Sequence, residues 1–202
     1  MPYGSRSFLF LSYRSFLLFI HTWTFNQLIA AHKNPYYSRM GFITSMKKSS
    51  IGYWAIALVT IAVAGIGGLL TTSGMAWYQT LLLPRWTPSG MVIGAVWTIL
   101  FILTMIAAML VWRDAPHQRV RFKITLLLFC ANALLNVLWS YLFFVQNLLS
   151  SAVLEAAVLG ASVIALMIFI RPFSKTAALL LLPYAAWVAF ATYLSYVIFM
   201  MN

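Results

Sequence analysis

IGYWAIALVTIAVAGIGGLL, residues 51–70, runs for twenty positions without a charged side chain. At 1.5 Å per residue, a helix of that length covers about 30 Å, the thickness of a bilayer's hydrocarbon core. Lipid supplies no water to satisfy backbone N–H and C=O groups, so such a run is helical. Three further stretches, Met91–Trp112, Ile124–Val145 and Thr176–Met201, are also free of charge. A fifth, Ser151–Ile170, is interrupted only by Glu155. The pattern predicts an all-α integral membrane protein, a five-transmembrane-helix bundle with spans near 51–70, 91–112, 124–145, 151–170 and 176–200.

Composition agrees. The chain has 202 residues, 63% of them apolar, with thirteen Lys and Arg against two acids, Asp114 and Glu155. Charged residues make up 7%, where a soluble domain carries about 25%. That excludes a soluble enzyme. The net charge of +11 does not make a nucleic-acid partner, because the cations are spread thinly between apolar runs. Lys and Arg so placed set topology and meet anionic headgroups of membrane lipid. Cys130 is the one cysteine, so no intrachain disulfide forms. His21, His32 and His117 lack the i, i+4 spacing of a helical metal site. No metal is expected.

The connections differ in kind. Thr71–Gly90 is the longest and contains Gly74, Pro84 and Pro88 with Trp77 and Trp86, which predicts a long structured loop after the first span. The later links, around 113–123, 146–150 and 171–175, are short and suit antiparallel neighbours. Lys47, Lys48, Arg113, Arg119, Arg121, Lys123, Arg171 and Lys175 fall on one side and only Arg85 on the other. The bias places the first side in the cytoplasm of a bacterial cell membrane, with the long loop and the C-terminus across it. Residues 1–47 do not match the 48–202 domain. Phe8–Ile20 is apolar but holds Arg14. Three readings stay open for this extension: sequence upstream of a start at Met46, a targeting or interfacial segment, or a sixth helix.

Within the spans, tryptophan carries most of the information. Trp54 and Trp112 lie near span ends and suit an interfacial belt. Trp97 and Trp187 lie well inside their runs. Trp97 and Phe101 are i, i+4, as are Asn132 and Asn136, with Trp139 one turn beyond. Pro183, Trp187 and Ala191 follow one another at the same interval. Converging, these faces form an apolar, flat-walled cavity with a few hydrogen-bonding groups, suited to a large planar aromatic ligand. The plainer alternative is packing, with the asparagines bridging helices. Glu155 is read as reaching the interface or a cation from near its helix start, and Cys130 as a small buried packing residue. Gly65, Gly67, Gly68, Gly160, Ala161 and Ser162 allow close helix approach, within the bundle or between subunits.

Three motifs point further. Trp77-Tyr78, then Leu83-Pro84-Arg85-Trp86-Thr87-Pro88-Ser89-Gly90 and Trp97-Thr98-Ile99-Leu100-Phe101, resemble the tryptophan-rich TspO/translocator protein family. Asn132-Ala-Leu-Leu-Asn136-Val-Leu-Trp139-Ser140 resembles its third-helix signature, and Leu182-Pro183-Tyr184-Ala-Ala-Trp187-Val-Ala-Phe190-Ala191-Thr192-Tyr193-Leu194-Ser195 its fifth. The resemblance implies a membrane bundle, commonly a homodimer, whose ligand cavity lies under the first loop and takes porphyrins and related tetrapyrroles. The ligand-binding residues it implies are Trp77, Trp97, Phe101, Asn136, Trp139, Tyr184, Trp187 and Ala191. It also implies light-dependent oxidative degradation of protoporphyrin IX, with Trp97 and Trp187 as the residues concerned. No conventional active site accompanies them, and no intrinsic cofactor is implied beyond the porphyrin ligand. Transport of tetrapyrroles or similar apolar ligands is the alternative, with Glu155 as the coupling acid. Two departures stand out. No cation follows Tyr193 or Tyr196 before Asn202, which argues against the sterol pattern at that end. Ser140-Tyr141 replaces the family's proline-containing turn, which predicts a straighter third helix.

Overall fold

A computed structural model describes residues 50–115 and 120–202. The readings made for residues 1–47, and those for His117 and Arg119, fall outside the described residues. The elements are α1 (Ser50–Ser73), the short α2 (Met75–Tyr78), α3 (Gly90–Asp114), α4 (Val120–Ser140) continued by a π-helical segment (Tyr141–Val145), α5 (Leu149–Ile170), α6 (Lys175–Leu180) and α7 (Leu182–Met201). Among the described residues there is no strand. Five spans are long and apolar enough to cross a membrane: α1, α3, α4 with its π segment, α5, and α6 with α7.

Local chemistry sets the boundaries. Ser89 caps α3, its Oγ accepting from the Val92 N–H at 3.4 Å, and Ser174 caps α6 by accepting from the Ala177 N–H at 3.3 Å. The fifth span is broken at Leu181, because Pro183 lacks the N–H that would continue the ladder and instead sits in the first turn of α7. The third span does not run straight. Five residues wind as π-helix, closed by Gln146 N–H to Tyr141 O at 3.0 Å. The reversal after it uses Asn147 at φ 57°, with Leu148 N–H bonded to Leu142 O at 3.0 Å. Asparagine tolerates this left-handed position, so the helix terminates without a glycine or a proline. A π insertion re-aims the side chains that follow it, and here Phe143 turns inward to 2% exposure.

α5 packs along α7 on one side and α4 on the other, while α1 lies against α3, α4 and the π segment. Small residues permit the close contacts: a Cβ at Gly160 would sit 3.4 Å from Val188 Cγ1, and one at Gly67 3.6 Å from Ser140 Oγ. Among the described residues, no other element comes within 4 Å of a Cβ at Gly65 or Gly68. One core cluster centres on Val163, Leu166, Ile170, Leu181, Tyr184 and Val188. A second gathers Phe143, Ala152, Leu194 and Ile198 beneath Trp77, Tyr78 and Leu83 of the loop. α1 has no buried residue at all.

Candidate functional site

The polar centre is built on α4. Asn132 and Asn136 stand one turn apart, and Asn136 Nδ2 donates to the Asn132 carbonyl oxygen at 2.8 Å. From α7, the Tyr184 hydroxyl accepts from Asn136 Nδ2 at 2.6 Å and donates to Asn132 Oδ1 at 3.2 Å. From α5, Ser162 Oγ accepts from Asn132 Nδ2 at 2.8 Å and donates to Leu159 O at 2.7 Å. Asn132, Asn136 and Tyr184 are buried. Polar groups at this depth are tolerated because each helix supplies the next one's partner.

Aromatic rings stand beside this network. On α3, the Trp97 and Phe101 ring centroids are 5.7 Å apart, and Trp97 meets Tyr184 edge-on at 6.1 Å and 72°. Trp97, Phe101, Asn136 and Tyr184 therefore come together from three helices. The other expected residues do not join them. Trp139 stacks on Phe143 at 5.1 Å and 22°, and Trp77 meets the same ring edge-on at 5.7 Å. Both belong to the cluster beneath the loop, and the π segment is the reason, since it brings Phe143 between them. Trp187 lies 5.2 Å from Phe190, and its indole Nε1 is buried without a partner among the described residues. Ala191 is half-buried on α7.

A chamber of about 330 Å³ opens alongside the polar centre, between α1, α3 and α4. Of the expected residues, Phe101, Asn136 and Tyr184 line it. From them it extends toward the end of the bundle where α1 begins and α3 ends, past Phe129 to Gly52, Trp112 and Phe122. Gly52 is needed there because a Cβ would collide with the Trp112 indole. Trp112, read as a belt residue from its position, thus forms a chamber wall. Trp54 is exposed, as a belt residue should be.

Two other expectations are corrected. Glu155 reaches neither the interface nor a cation. It is 7% exposed, and neither carboxylate oxygen has a hydrogen-bond partner among the described residues. Its helix face, shared with Ala152, Ala156 and Leu159, is the buried one. Cys130 is exposed rather than buried, and it lines the chamber.

Asn132 and Ser162 complete the network without having been singled out as site residues. The i, i+4 spacing of the asparagines was the available signal for Asn132, whereas the Ser162 contact crosses between helices and had none. The loop's attachment to α7 also escaped the sequence. Trp86 stacks on Tyr193 at 5.8 Å and 11°, while the Asn202 side chain accepts from the Leu82 N–H at 2.9 Å and donates to Leu82 O at 3.1 Å.

These features define an integral multi-pass membrane protein: five apolar helices around a polar knot, with an aromatic-walled chamber and a tryptophan-rich loop tied down over one end. A sequence profile of the TspO/MBR family matches residues 55–201. The uncharacterized membrane protein YtaB of Bacillus subtilis is 38% identical over 156 residues, covering 77% of this chain and 99% of its own. The tryptophan-rich protein TspO of Bacillus cereus is 34% identical, over 78% of this chain and 99% of its own. The human translocator protein is 30% identical, over 64% and 76% respectively. The chain belongs to the TspO/MBR family.

Proposed function

We propose that the protein binds a tetrapyrrole within the membrane. The observation carrying this reading is the meeting of Trp97, Phe101, Asn136 and Tyr184 at the side of a chamber in a TspO/MBR family bundle. Indole and phenyl rings offer flat faces and edges to a macrocycle, and the Asn136 carboxamide offers a hydrogen bond to its polar atoms. The finer reading is light-dependent oxidation of bound protoporphyrin by oxygen, with Trp97 and Trp187 as the indoles involved. The reactive chemistry would then belong to the excited ligand, and the protein would supply orientation and a dry site. A homodimer in the lipid bilayer is part of the same proposal.

Titration with protoporphyrin IX in the dark, followed by absorbance under light, tests both levels. Saturable quenching of tryptophan fluorescence that weakens in Trp97→Phe supports the site, and bleaching that disappears in Trp97→Phe, Trp187→Phe supports the photochemistry. Quenching that never saturates overturns the binding reading.

Transport is the second reading, and Glu155 is the observation that favours it. A buried acid inside a span, with no hydrogen-bond partner among the described residues, is costly to keep and is a common element of coupled carriers. Porphyrin flux into proteoliposomes is expected to be lost in Glu155→Gln; flux equal to that of the unmodified protein removes the coupling role.

A further inference from the structure

The charges of the bundle are sorted to its ends. Arg85 lies on the long loop, whereas Arg113, Arg121, Lys123, Arg171 and Lys175 lie at the other end, where α3 and α5 finish and α4 and α6 start. One acid accompanies them among the described residues. This is Asp114, which Arg113 already holds through Nε at 2.7 Å and Nη2 at 3.2 Å. Glu155 stands fifteen residues before Ile170, the last residue of α5, about 22 Å away along that helix. Arg121, Lys123, Arg171 and Lys175 are exposed and have no ion pair among the described residues.

Of these four, Arg121 is held in place by a ring. It sits in the first turn of α4, with its guanidinium carbon 5.8 Å from the centroid of Phe169 on α5. The ring face attracts the cation, and the planar fork keeps N–H edges free for a second group. Phosphate fits such an edge, two of its oxygens accepting parallel N–H bonds. Arg171 follows two residues after Phe169 and caps α5, which puts a second cation at the same rim. Further into the bilayer the two faces turn apolar. Ile124 is three residues on from Arg121 and Ala165 four before Phe169, and both are at least partly open to the surroundings. Beneath them the α4–α5 seam is closed by Asn132 Nδ2 donating to Ser162 Oγ at 2.8 Å. The seam thus presents cations at the end of the span and an apolar track below them, which match the two parts of a phospholipid.

We propose that the outer seam between the start of α4 and the end of α5 is a binding site for one anionic phospholipid. Arg121 bonds the phosphate, Arg171 adds to the attraction, and an acyl chain runs down the seam over Ile124 and Ala165. Basic pockets between transmembrane helices are known to select anionic headgroups. Cations spread around a rim would attract such lipids without choosing a place; the Arg121–Phe169 contact chooses one, because the guanidinium is positioned before the lipid arrives. The site uses neither the chamber nor the polar centre and is independent of the tetrapyrrole reading.

Native mass spectrometry of the full chain, titrated in maltoside micelles with phosphatidylglycerol or phosphatidylcholine of the same acyl chains, supplies the readout. The first phosphatidylglycerol adduct is expected to saturate at a concentration well below that needed for phosphatidylcholine. Arg121→Gln should raise the phosphatidylglycerol concentration required about tenfold, the worth of one charge-assisted hydrogen bond, and leave phosphatidylcholine unaffected. Arg113→Gln and Arg85→Gln each remove one positive charge as well, yet should leave the titration where it was. Arg121→Lys keeps the charge, loses the fork and should fall between. Glycerol 1-phosphate, a phosphate without acyl chains, should not displace the lipid at matched concentration. Equal uptake of the two lipids, an Arg121→Gln titration no different from those of Arg113→Gln and Arg85→Gln, or displacement by glycerol 1-phosphate overturns the proposal. No porphyrin is present in these titrations, so this site and the tetrapyrrole site can each fail alone.

Discussion

The Tyr184 hydroxyl receives one hydrogen bond from Asn136 and gives one to Asn132, so it ties α7 to α4 twice through a single atom. In water such a contact would compete with solvent. In a bilayer the alternative is another protein partner, and measured interhelical hydrogen bonds average only about 0.6 kcal/mol. Asn136 keeps the Asn132 carbonyl as a second acceptor, which limits the damage when the hydroxyl is removed. Tyr184→Phe is therefore expected to cost about 1 kcal/mol in unfolding experiments in mixed micelles, with the bundle intact. A loss several times larger would mean that the knot organises the core rather than trimming it. The residue scale was partly legible. Spacing put Asn132, Asn136 and Trp97 on helical faces, and the resemblance named Tyr184. Which tryptophans meet was not legible, because Trp139 and Trp77 are drawn together by Phe143 and not by their own periodicity. Glu155 was misread for a related reason: position along a helix is visible in a sequence, but which face a neighbour covers is not.

At the scale of elements, the loop is held by few but specific contacts. Gly74 passes so close to Phe144 that a Cβ would collide with its carbonyl. Further along, Asn202 engages both backbone groups of Leu82 and also donates to Ile198 O at 2.8 Å. A carboxamide used in this way imitates a neighbouring strand, satisfying a loop residue that has no ladder of its own. Asn202→Ala should raise hydrogen exchange at the Leu82 amide and nearby loop amides, with α5 and the core of α7 unchanged. Exchange that stays the same throughout the loop would show that the Trp86–Tyr193 stack suffices to hold it. Four spans were readable from uncharged runs and the fifth from a run broken only by Glu155, because lipid imposes helix on such runs. The π segment was not. The expectation of a straighter third helix followed from the missing proline, but irregularity here arises from an extra residue in the turn before Asn147 and not from a lost N–H.

Over the whole molecule, the helices are unequal partners. α5 buries seven residues, among them Val163, Leu166 and Ile170, whereas α1 buries none. In a soluble protein an apolar helix with no buried side chain would be expelled. In a membrane it loses nothing by remaining at the edge, since lipid tails are as apolar as the neighbouring helices. The bundle is thus a firm block of α4, α5, α6 and α7 with the chamber on its α1 side. Composition and hydropathy could announce a membrane bundle of five spans, yet all five look alike at that level. The inequality appears only when contacts are known.

That inequality gives the bilayer a say in the shape of the chamber. α1 has 24 residues, about 36 Å of helix, against a hydrocarbon layer of about 30 Å in an average membrane. A span longer than its surroundings relieves the mismatch by tilting, and α1 can tilt without disturbing a core to which it contributes no buried residue. Its angle, and with it the width of the space behind it, would follow membrane thickness. Affinity for a chamber ligand would then differ between short-chain and long-chain lipids with the same protein, making the host membrane part of the receptor.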